Sequence, residues 1–475
     1  MDQPIRTRHA LLTGALLVSV LSAGSCAPEG EAASAPILDA DYAFTGVNVI
    51  PMADESVLEN QTVVVKDGVI AQVGPADAVQ VAEGTELIDG AGHYLMPGLS
   101  EMHAHVPPQL DPPREVLEDI MFLYIANGIT TIRGMLGAPY QIGLADELES
   151  GSMVGPTFYP AAPSLNGNTA TDSETTAQLV RDHKAAGYDL LKIHPGIPLD
   201  SWDQLAATAE EEGISFAGHV PADVGLLHAL ETGMTCIDHL DGYVEAIDAP
   251  DLTRRLTAGE EVSVEDVREA ITDEAIGALV QATVAANAYV VPTMYLWDNL
   301  YGIHDPNDMV ALPEMRYVSQ NQKDAWVRQS NGRGPVTPSM SRMLMDTRRR
   351  VLKALSDAGV GVLMGTDSPQ MFNVPGFALH REIQTYEDAG MSRFEVLASG
   401  TRTVAQYVDE VLGLDGNFGT IEVGRRADLV LLGANPLESL SNLEARAGVM
   451  VRGHWVSGTE IQEGLDALEA KHASS

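Results

Sequence analysis

Two histidines separated by one residue are the first feature of the sequence that could carry out chemistry. His103 and His105 close the apolar stretch 93–105, which is predicted to be a β-strand. Alternate side chains of a strand project to the same side, so both imidazoles could bind one metal ion. Imidazole nitrogen suits zinc and similar divalent ions. The pair therefore indicates a candidate metal site at the end of this strand.

Four further residues of ligating or basic type lie at the ends of other predicted strands. They are Lys192, His219, His239 and Asp367. If the strands are parallel neighbours, their carboxyl ends share one rim and the side chains converge there. Each residue alone could be a core histidine, an ion-paired lysine or a helix cap. Together with the histidine pair they form a stronger signal than any one of them does alone.

The elements that would hold these residues follow an alternating pattern. Strand-like segments alternate with stretches of helical composition, and they cover residues 93–105, 128–135, 157–165, 188–194, 214–220, 235–240, 288–294 and 360–367. This alternation predicts an α/β protein with a (β/α)8 TIM barrel, whose active site lies at the C-terminal ends of the strands. The long segment 295–359 is expected to form a lid or substrate wall.

Sequence rich in Val and Ile flanks this middle region on both sides. Residues 42–91 and 419–458 have this character, and Asp-Gly pairs in the first region signal hairpins. We expect the two chain ends to pair into one small β-sandwich domain. The predicted division is a signal peptide at 1–26, a linker at 27–37, a composite sandwich at 38–94 and 409–462, the barrel at 95–408 and a tail at 463–475.

The sequence resembles the amidohydrolase superfamily of metal-dependent hydrolases. The matching runs are P-G-L-S-E-M-H-A-H, G-I-T-T-I-R-G, D-L-L-K-I, G-H-V, I-D-H-L, P-T, G-T-D-S and the late segment G-T-I-E-V-G-R-R-A-D-L-V-L-L-G-A-N-P. The resemblance spans about residues 40–455 and is greatest to the imidazolonepropionase-like and Xaa-Pro-dipeptidase-like branch. It implies the barrel and sandwich expected above.

The resemblance also implies a pair of divalent ions and their ligands. His103, His105 and Asp367 would bind the more buried ion, and His219 and His239 would bind the more exposed one. Zinc is the expected metal, with manganese, cobalt or iron as alternatives.

Lys192 would be carboxylated on its side-chain nitrogen and bridge both ions. Addition of carbon dioxide gives the lysine a carboxylate-like tip, which two dications about 3.5–4 Å apart need. A metal-bound hydroxide would then attack the substrate, and Asp367 would carry its proton to the leaving amine. Some family members lack this lysine and use one ion, so the number of ions stays open.

Five other residues near predicted strand ends are candidates for substrate contact. They are Arg133, Asn166, His194, Tyr243 and Tyr295. Arg133 could hold a carboxylate through two parallel bonds, and the tyrosines could donate to a carbonyl oxygen. Asn166 lies where many relatives carry Gly-Gly-His, so the substrate preference of those relatives does not carry over to this chain. Each of the five is also compatible with a structural role.

The charge balance and the motifs exclude several classes of function. The 475 residues include 28 Lys and Arg against 67 Asp and Glu, a net charge of −39 at pH 7. This argues against binding nucleic acid or an anionic membrane surface. The expected partner of a hydrolase of this kind is a small-molecule substrate. The sequence has no G-x-S-x-G elbow, no H-E-x-x-H pair, no P-loop and no G-x-G-x-x-G turn. A homo-oligomer is left open.

The first 26 residues have the character of a secretory signal. A basic start precedes the apolar run 10–24, which is too short to span a bilayer comfortably. The run A-G-S-C resembles a bacterial lipobox, so Cys26 would be lipidated and anchor the chain to a membrane. Ordinary cleavage with an incidental Cys26 is the alternative. We expect an exported protein, periplasmic or anchored in the bacterial envelope.

The expected function is hydrolysis of a C–N amide bond in a dipeptide, an N-acyl amino acid or a cyclic amide. A lactone or phosphotriester hydrolase is an alternative, because the same nucleophile attacks these electrophiles. A surface lipoprotein that keeps the barrel only for binding is a second alternative. That alternative gives no reason for the six converging residues.

Overall fold

The structure is a computed structural model that describes residues 37–247, 254 and 261–473. The predicted signal peptide, Cys26 and nearly all of the predicted linker lie outside the described residues. Within the described part of the chain, every helix is too short or too polar to serve as a membrane span.

The strands and helices alternate through most of the described chain. In chain order the strands are β1 (Ile37–Leu38), β2 (Tyr42–Val49), β3 (Leu58–Lys66), β4 (Val69–Pro75), β5 (Gln80–Val81), β6 (Glu86–Asp89), β7 (Tyr94–Pro97), β8 (Leu99–Ala104), β9 (Ile129–Gly134), β10 (Thr157–Pro160), β11 (Leu190–Ile193), β12 (Ser215–Gly218), β13 (Cys236–Asp238), β14 (Tyr289–Val291), β15 (Leu429–Leu432), β16 (Arg446–Val451) and β17 (His454–Ser457).

The helices separate the central strands and close the chain. They are α1 (Arg114–Ala126), α2 (Tyr140–Glu149), α3 (Ser173–Ala186), α4 (Leu199–Glu212), α5 (Leu226–Glu231), α6 (Val264–Ala270), α7 (Asp273–Ala285), α8 (Met294–Tyr301), α9 (Pro306–Met309), α10 (Gln320–Asn331), α11 (Pro338–Asp357), α12 (Phe377–Asp388), α13 (Arg393–Ser399), α14 (Arg402–Glu410) and α15 (Gly458–Ala473), with 3-10 turns at Pro313–Tyr317 and Leu440–Glu444.

Local sequence signals set the ends of these helices. Asp172 caps the start of α3 by accepting a hydrogen bond from the backbone N–H of Thr175. Gly187 ends the same helix with a φ of 93°, a conformation that favours glycine. Such boundaries hold the helices to short lengths and return the chain to the next strand.

The central strands are parallel and follow one another in chain order. β8, β9 and β10 form one sheet, and β11 to β14 form a second. Parallel backbone bridges join Ala161 to Leu190, Val290 to Val362 and Ala104 to Ser368. The carboxyl ends of these strands therefore lie along a common edge, as the sequence predicts.

The eighth predicted strand, 360–367, is not a regular strand. Within this stretch only Val362 makes a backbone bridge, and the next bridge is made by Ser368, one residue beyond its end. The carboxylate of Glu101 accepts hydrogen bonds from the backbone N–H of Thr366 (2.8 Å) and from its hydroxyl (2.6 Å). The Glu101 side chain thus accepts from the Thr366 N–H, a donor that would pair with a neighbouring strand in a regular β-ladder.

Strands from both ends of the chain share one eight-stranded sheet. Its order is β17-β16-β15-β7-β2-β3-β4, with β6 beside β2. The predicted strand 93–105 is divided between this sheet and the central one, and the break falls at Gly98. A Cβ at that position would lie 2.1 Å from the Thr130 hydroxyl oxygen, so only glycine fits this close approach. The predicted domain boundaries themselves stay predictions.

The predicted C-terminal tail, 463–475, is helical as far as the structure describes it. It belongs to α15, whose Ile461, Leu465 and Leu468 are buried against the rest of the fold. Their spacing of three to four residues is typical of a helix with one apolar face, a signal already present in the sequence.

The long segment 295–359 is largely helical and lies beside the chain that follows Asp367. One apolar cluster joins residues of both, namely Leu296, Met309, Met315, Val318, Trp326, Met371, Phe372 and Val374. Its function as a lid or substrate wall stays a prediction.

Candidate metal centre

The histidine pair of the first central strand and Asp367 form the tightest part of the site. Ligand atoms of His103, His105 and Asp367 all lie within 4.8 Å of one another. Asp367 Oδ1 is 2.5 Å from His105 Nε2 and 3.6 Å from His103 Nε2. His103 and Asp367 are buried, whereas the His105 side chain is 21% exposed.

The other three predicted ligands adjoin this group. Lys192 Nζ is 3.5 Å from His103 Nε2, and the lysine is fully buried. His239 Nε2 is 3.8 Å from Asp367 Oδ2. The His219 and His239 rings are 4.5 Å apart between centroids. The structure therefore brings all six predicted residues together.

Protein groups lie against Nδ1 in three of the four histidines, by a hydrogen bond for His219 and His239 and at ion-pair distance for His103. The pairs are His103 Nδ1 with Asp238 Oδ2 at 3.0 Å, His219 Nδ1 with Asp241 Oδ2 at 2.7 Å, and His239 Nδ1 with Thr293 Oγ1 at 2.9 Å. Such partners orient metal-binding imidazoles in proteins. Because Nδ1 is hydrogen-bonded in His219 and His239, the Nε2 lone pair of these two rings is the one available to a ligand.

The arrangement fits a bound cation. His239 Nε2 is buried and has no hydrogen-bond partner among the described residues. The Nε2 atoms of His103 and His105 face the carboxylate oxygen Asp367 Oδ1. Lone pairs that face a carboxylate repel one another unless a proton or a cation lies between them. Neutral imidazoles and a carboxylate are ligands that zinc and similar ions accept.

Burial and neighbouring charges set suitable ionisation states. Burial lowers the pKa of His103 and that of His239, which keeps both rings neutral. Burial opposes ionisation of Asp367, but its interactions with His103, His105 and Lys192 outweigh burial and lower the pKa of the carboxyl. Burial also lowers the pKa of Lys192 and so favours its neutral amine.

Arg133, predicted to contact substrate, is fully buried and bonded to protein groups. It donates to Met102 O at 2.7 Å, to the Tyr407 hydroxyl at 2.8 Å and to Asp238 Oδ1 at 3.0 Å. Since its nitrogens are engaged in this way, the placement does not support a bidentate bond to a substrate carboxylate.

The two predicted tyrosines are also buried. The Tyr243 hydroxyl bonds to Thr283 Oγ1 at 2.7 Å, and the residue is 1% exposed. Tyr295 is the second residue of α8, and its backbone N–H donates a hydrogen bond to the Glu382 carboxylate. Neither placement supports a direct contact with substrate.

His194 and Asn166 are placed differently, at the edge of the candidate centre. His194 packs on the His219 ring with 5.1 Å between centroids, and its Nδ1 is 2.8 Å from Ser164 Oγ. Asn166 Nδ2 donates to the same Ser164 oxygen at 2.8 Å. The described residues provide no hydrogen bond to His194 Nε2, so this atom is available to a ligand.

Three polar residues in the site escaped the sequence reasoning. Asp238 and Glu101 are fully buried carboxylates beside the ligands, and Arg348 donates to His239 O at 2.5 Å. The two acidic residues had a readable signal, since each interrupts an apolar strand within two residues of a predicted ligand. No local pattern in the sequence marks Arg348, because it belongs to α11 and reaches the site only through the tertiary fold.

Comparison with known proteins decides the family. A model described as the amidohydrolase family matches residues 94–456. The chain belongs to the amidohydrolase family. The sequence-based resemblance is thereby confirmed, and the match includes all six converging residues.

Among amidohydrolase relatives, the similarity is low and of uneven extent. Adenine deaminase 3 of Rhizobium meliloti is 29% identical over 216 residues, which is 42% of this chain and 34% of that protein. The aligned part thus spans about a third of that relative. A 5-methylthioadenosine/S-adenosylhomocysteine deaminase of Symbiobacterium thermophilum is 23% identical over 407 residues, 82% of this chain and 84% of that protein.

Solved structures match over more of the chain. A bottromycin amidohydrolase superposes with a TM-score of 0.66 and 21% identity, covering 90% of both chains. A Xaa-Pro dipeptidase superposes with a TM-score of 0.60 and 17% identity, covering 88% of this chain and all of that one. Together with the family match, this indicates a TIM-barrel-like α/β fold.

Proposed function

We propose that this amidohydrolase is a metal-dependent hydrolase that cleaves a C–N bond. The observation that carries the proposal is the convergence of His103, His105 and Asp367 around one point, with the other three predicted ligands beside them. Family membership and deaminase and dipeptidase relatives support the same reaction class.

The proposed centre is binuclear. His103, His105 and Asp367 would hold the more buried ion, and His219 and His239 the more exposed one. The exposures of 1% for His103 and 6% for Asp367, against 26% for His219, support this assignment. Zinc is the proposed metal, because four imidazoles dominate the donor set.

Lys192 is the proposed bridge, carboxylated on Nζ. A neutral amine is the form that attacks carbon dioxide, and it forms a carbamate with release of one proton. The buried Nζ lies 3.5 Å from His103 Nε2, which places the lysine among the ligands and away from bulk water.

When bound, the divalent ions would polarise the scissile carbonyl and acidify the attacking water. The chain supplies the proton transfer. Asp367 would accept the proton of the attacking water on its carboxylate and deliver it to the nitrogen of the leaving amine. The new C–O bond thus replaces the C–N bond, and the amine leaves neutral. The low pKa of Asp367 keeps its carboxylate ionised and ready to accept.

His194 is the proposed substrate-contacting residue at the rim. Its Nδ1 is held by Ser164, which Asn166 supports in turn, so the ring presents Nε2 to the opening. The cluster that joins 295–359 to the chain after Asp367 supports the proposal that this segment walls the substrate site.

Two substrate classes are supported. An amide such as a dipeptide, an N-acyl amino acid or a cyclic amide is favoured by the dipeptidase and amidohydrolase structures, which match nearly the whole chain. An amino-substituted purine is the second candidate, because the deaminase relative aligns over 84% of its own length.

A substrate screen with added zinc or manganese separates these classes. Release of an amino acid from dipeptides or N-acyl amino acids identifies an amidase, whereas release of ammonia from aminopurine nucleosides identifies a deaminase. Lactones and phosphotriesters test the alternative electrophiles. Inactivity on every class by zinc-loaded protein would contradict the proposed function and favour a binding role.

We further propose that the central strands close into a (β/α)8 barrel and that the shared end sheet belongs to a small sandwich domain. The three parallel bridges between the central segments support closure. The division at 38–94, 95–408 and 409–462 is proposed on the same basis, and limited proteolysis tests it.

Export by a lipoprotein-type signal is proposed from the sequence alone. Globomycin-sensitive processing and mass spectrometry of Cys26 test lipidation. A gel-shift experiment tests the expected absence of nucleic-acid binding. Light scattering tests whether the protein forms a homo-oligomer.

A further inference from the structure

A fully buried carboxylate lies directly behind the candidate ligands. Asp238 belongs to β13, and its two oxygens serve different partners. Oδ2 is 3.0 Å from His103 Nδ1 and 3.7 Å from Lys192 Nζ. Oδ1 accepts from Arg133 Nη2 at 3.0 Å. One carboxylate thus connects two candidate ligands to one arginine.

Arg133 is itself held in place. Its Nε donates to Met102 O at 2.7 Å and its Nη1 donates to the Tyr407 hydroxyl at 2.8 Å. The Tyr407 ring also lies 5.3 Å below the guanidinium carbon. Since β8, β9, β13 and α14 all contribute to this group, the position of the Asp238 carboxylate is fixed from several sides.

We propose that Asp238, fixed by Arg133, is a positioning residue for the metal centre: it orients His103 and balances the charge of Arg133 so that the site accepts divalent cations. The inference rests on the proposed metal-dependent function and extends it to two residues outside the ligand set.

Electrostatics makes this role different from ordinary packing. Charges in a dry interior interact far more strongly than charges in water. If the Asp238 charge is removed, Arg133 loses its carboxylate partner and remains as a buried cation near His103. That cation repels a dication bound at His103. Removing Arg133 as well relieves the repulsion, although the orienting carboxylate is still missing.

The experiment compares zinc affinity among variants of the mature chain. Each protein is dialysed against zinc buffered by a competing chelator, and bound zinc is measured by inductively coupled plasma mass spectrometry. Asp238→Asn is expected to weaken zinc binding by about 10–100-fold. The double variant Arg133→Met/Asp238→Asn is expected to bind zinc more tightly than Asp238→Asn and more weakly than wild type.

Asp241→Asn is the matched control. Asp241 likewise places a carboxylate oxygen against a histidine Nδ1, through a hydrogen bond of 2.7 Å to His219, but it is 19% exposed and forms no ion pair with an arginine among the described residues. Water can replace part of its interaction, so a smaller loss of zinc affinity is expected than for Asp238→Asn.

The outcomes are distinct. An Asp238→Asn protein that binds zinc within about twofold of wild type overturns the inference, as does a double variant no tighter than this single one. If circular dichroism shows that Asp238→Asn does not fold, the double variant is tested in its place, because it removes the arginine together with its carboxylate partner. Wild-type zinc affinity of the double variant then overturns the inference. Wild-type protein that binds no zinc overturns the proposed function as well.

Discussion

At the scale of single residues, the chemistry depends on where each side chain presents its lone pairs. The sequence alone identified the six residues that converge, because their types and their positions at strand ends are local properties. The acidic residue Asp238 beside His239 was a readable signal, but its partner and those of Asp241 and Thr293 could not be identified from the sequence. Asp238, Asp241 and Thr293 act through distances of 2.7 to 3.0 Å that only the fold creates.

The carboxylate of Asp367 is expected to be the main proton carrier. Asp367→Asn keeps the shape of the side chain but removes its basicity, so kcat should fall by about 10²–10⁴-fold. Steady-state kinetics on the substrate found in the screen measures this change. Asp357→Asn, in an exposed pair with Lys353, is the matched control and should retain wild-type kcat. Equal kcat in both variants contradicts the assignment.

His194 is expected to act on binding more than on the chemical step. His194→Ala removes one contact to substrate at the rim, so KM should rise by about tenfold, the effect of losing one hydrogen bond, with a smaller change in kcat. Ser164→Ala should also raise KM, but by less, because it removes only the hydrogen bond that holds the His194 ring and leaves the ring in place. A large fall in kcat with unchanged KM would assign His194 to the chemical step.

At the scale of elements, irregular segments proved harder to predict than regular ones. The pattern of strands and helices around the centre was readable because apolar runs and caps are local. Two departures arose from tertiary contacts. Gly98 divides one predicted strand between two sheets because Thr130 packs against it, and the Glu101 carboxylate replaces strand pairing at Thr366.

The start of α8 depends on a buried acid. Glu382 of α12 is fully buried and accepts from the backbone N–H groups of Met294 (2.7 Å) and Tyr295 (2.6 Å). Burial raises the pKa of Glu382 from 4.5 to about 7. The element that begins the proposed substrate wall is therefore attached through a carboxyl group whose pKa is raised to about 7.

This raised pKa predicts a pH-dependent stability. Between pH 4.5 and about 7 the folded state binds more protons at Glu382 than the unfolded state, so its contribution to stability is present below pH 4.5 and is lost as the pH rises through 7. The difference in unfolding free energy between wild type and Glu382→Gln should change by at most about 1.4 kcal/mol per pH unit in this window. Urea unfolding at pH 5, 6 and 7 measures it, and a constant difference contradicts it.

At the scale of the whole molecule, strands from the two β-rich flanks pair in one sheet, and the central segments hold the candidate site. The sheet that joins residues 42–97 to residues 429–457 was foreseeable from the two β-rich flanks. The attachment of 295–359 to the site through Arg348 was not, because that contact spans 109 residues of sequence. Long-range polar contacts of this kind are invisible to periodicity and composition.

Metal removal is expected to destabilise the entire fold. A ligand that binds only the folded state adds about 2.7 kcal/mol at 100 times its dissociation constant. Dialysis against a strong chelator should therefore lower the thermal unfolding temperature, and added zinc should restore it. Magnesium, which prefers oxygen ligands, should restore less. An unfolding temperature that is the same with and without chelator contradicts a tight metal site.

The metal content of the purified mature chain tests the central claim most directly. After zinc loading and removal of free metal, inductively coupled plasma mass spectrometry should find about two zinc ions per wild-type chain, as binuclear chemistry needs. Folded His103→Ala should hold fewer. A wild-type chain without tightly bound divalent metal, or a His103→Ala chain with the full wild-type complement, would contradict the account.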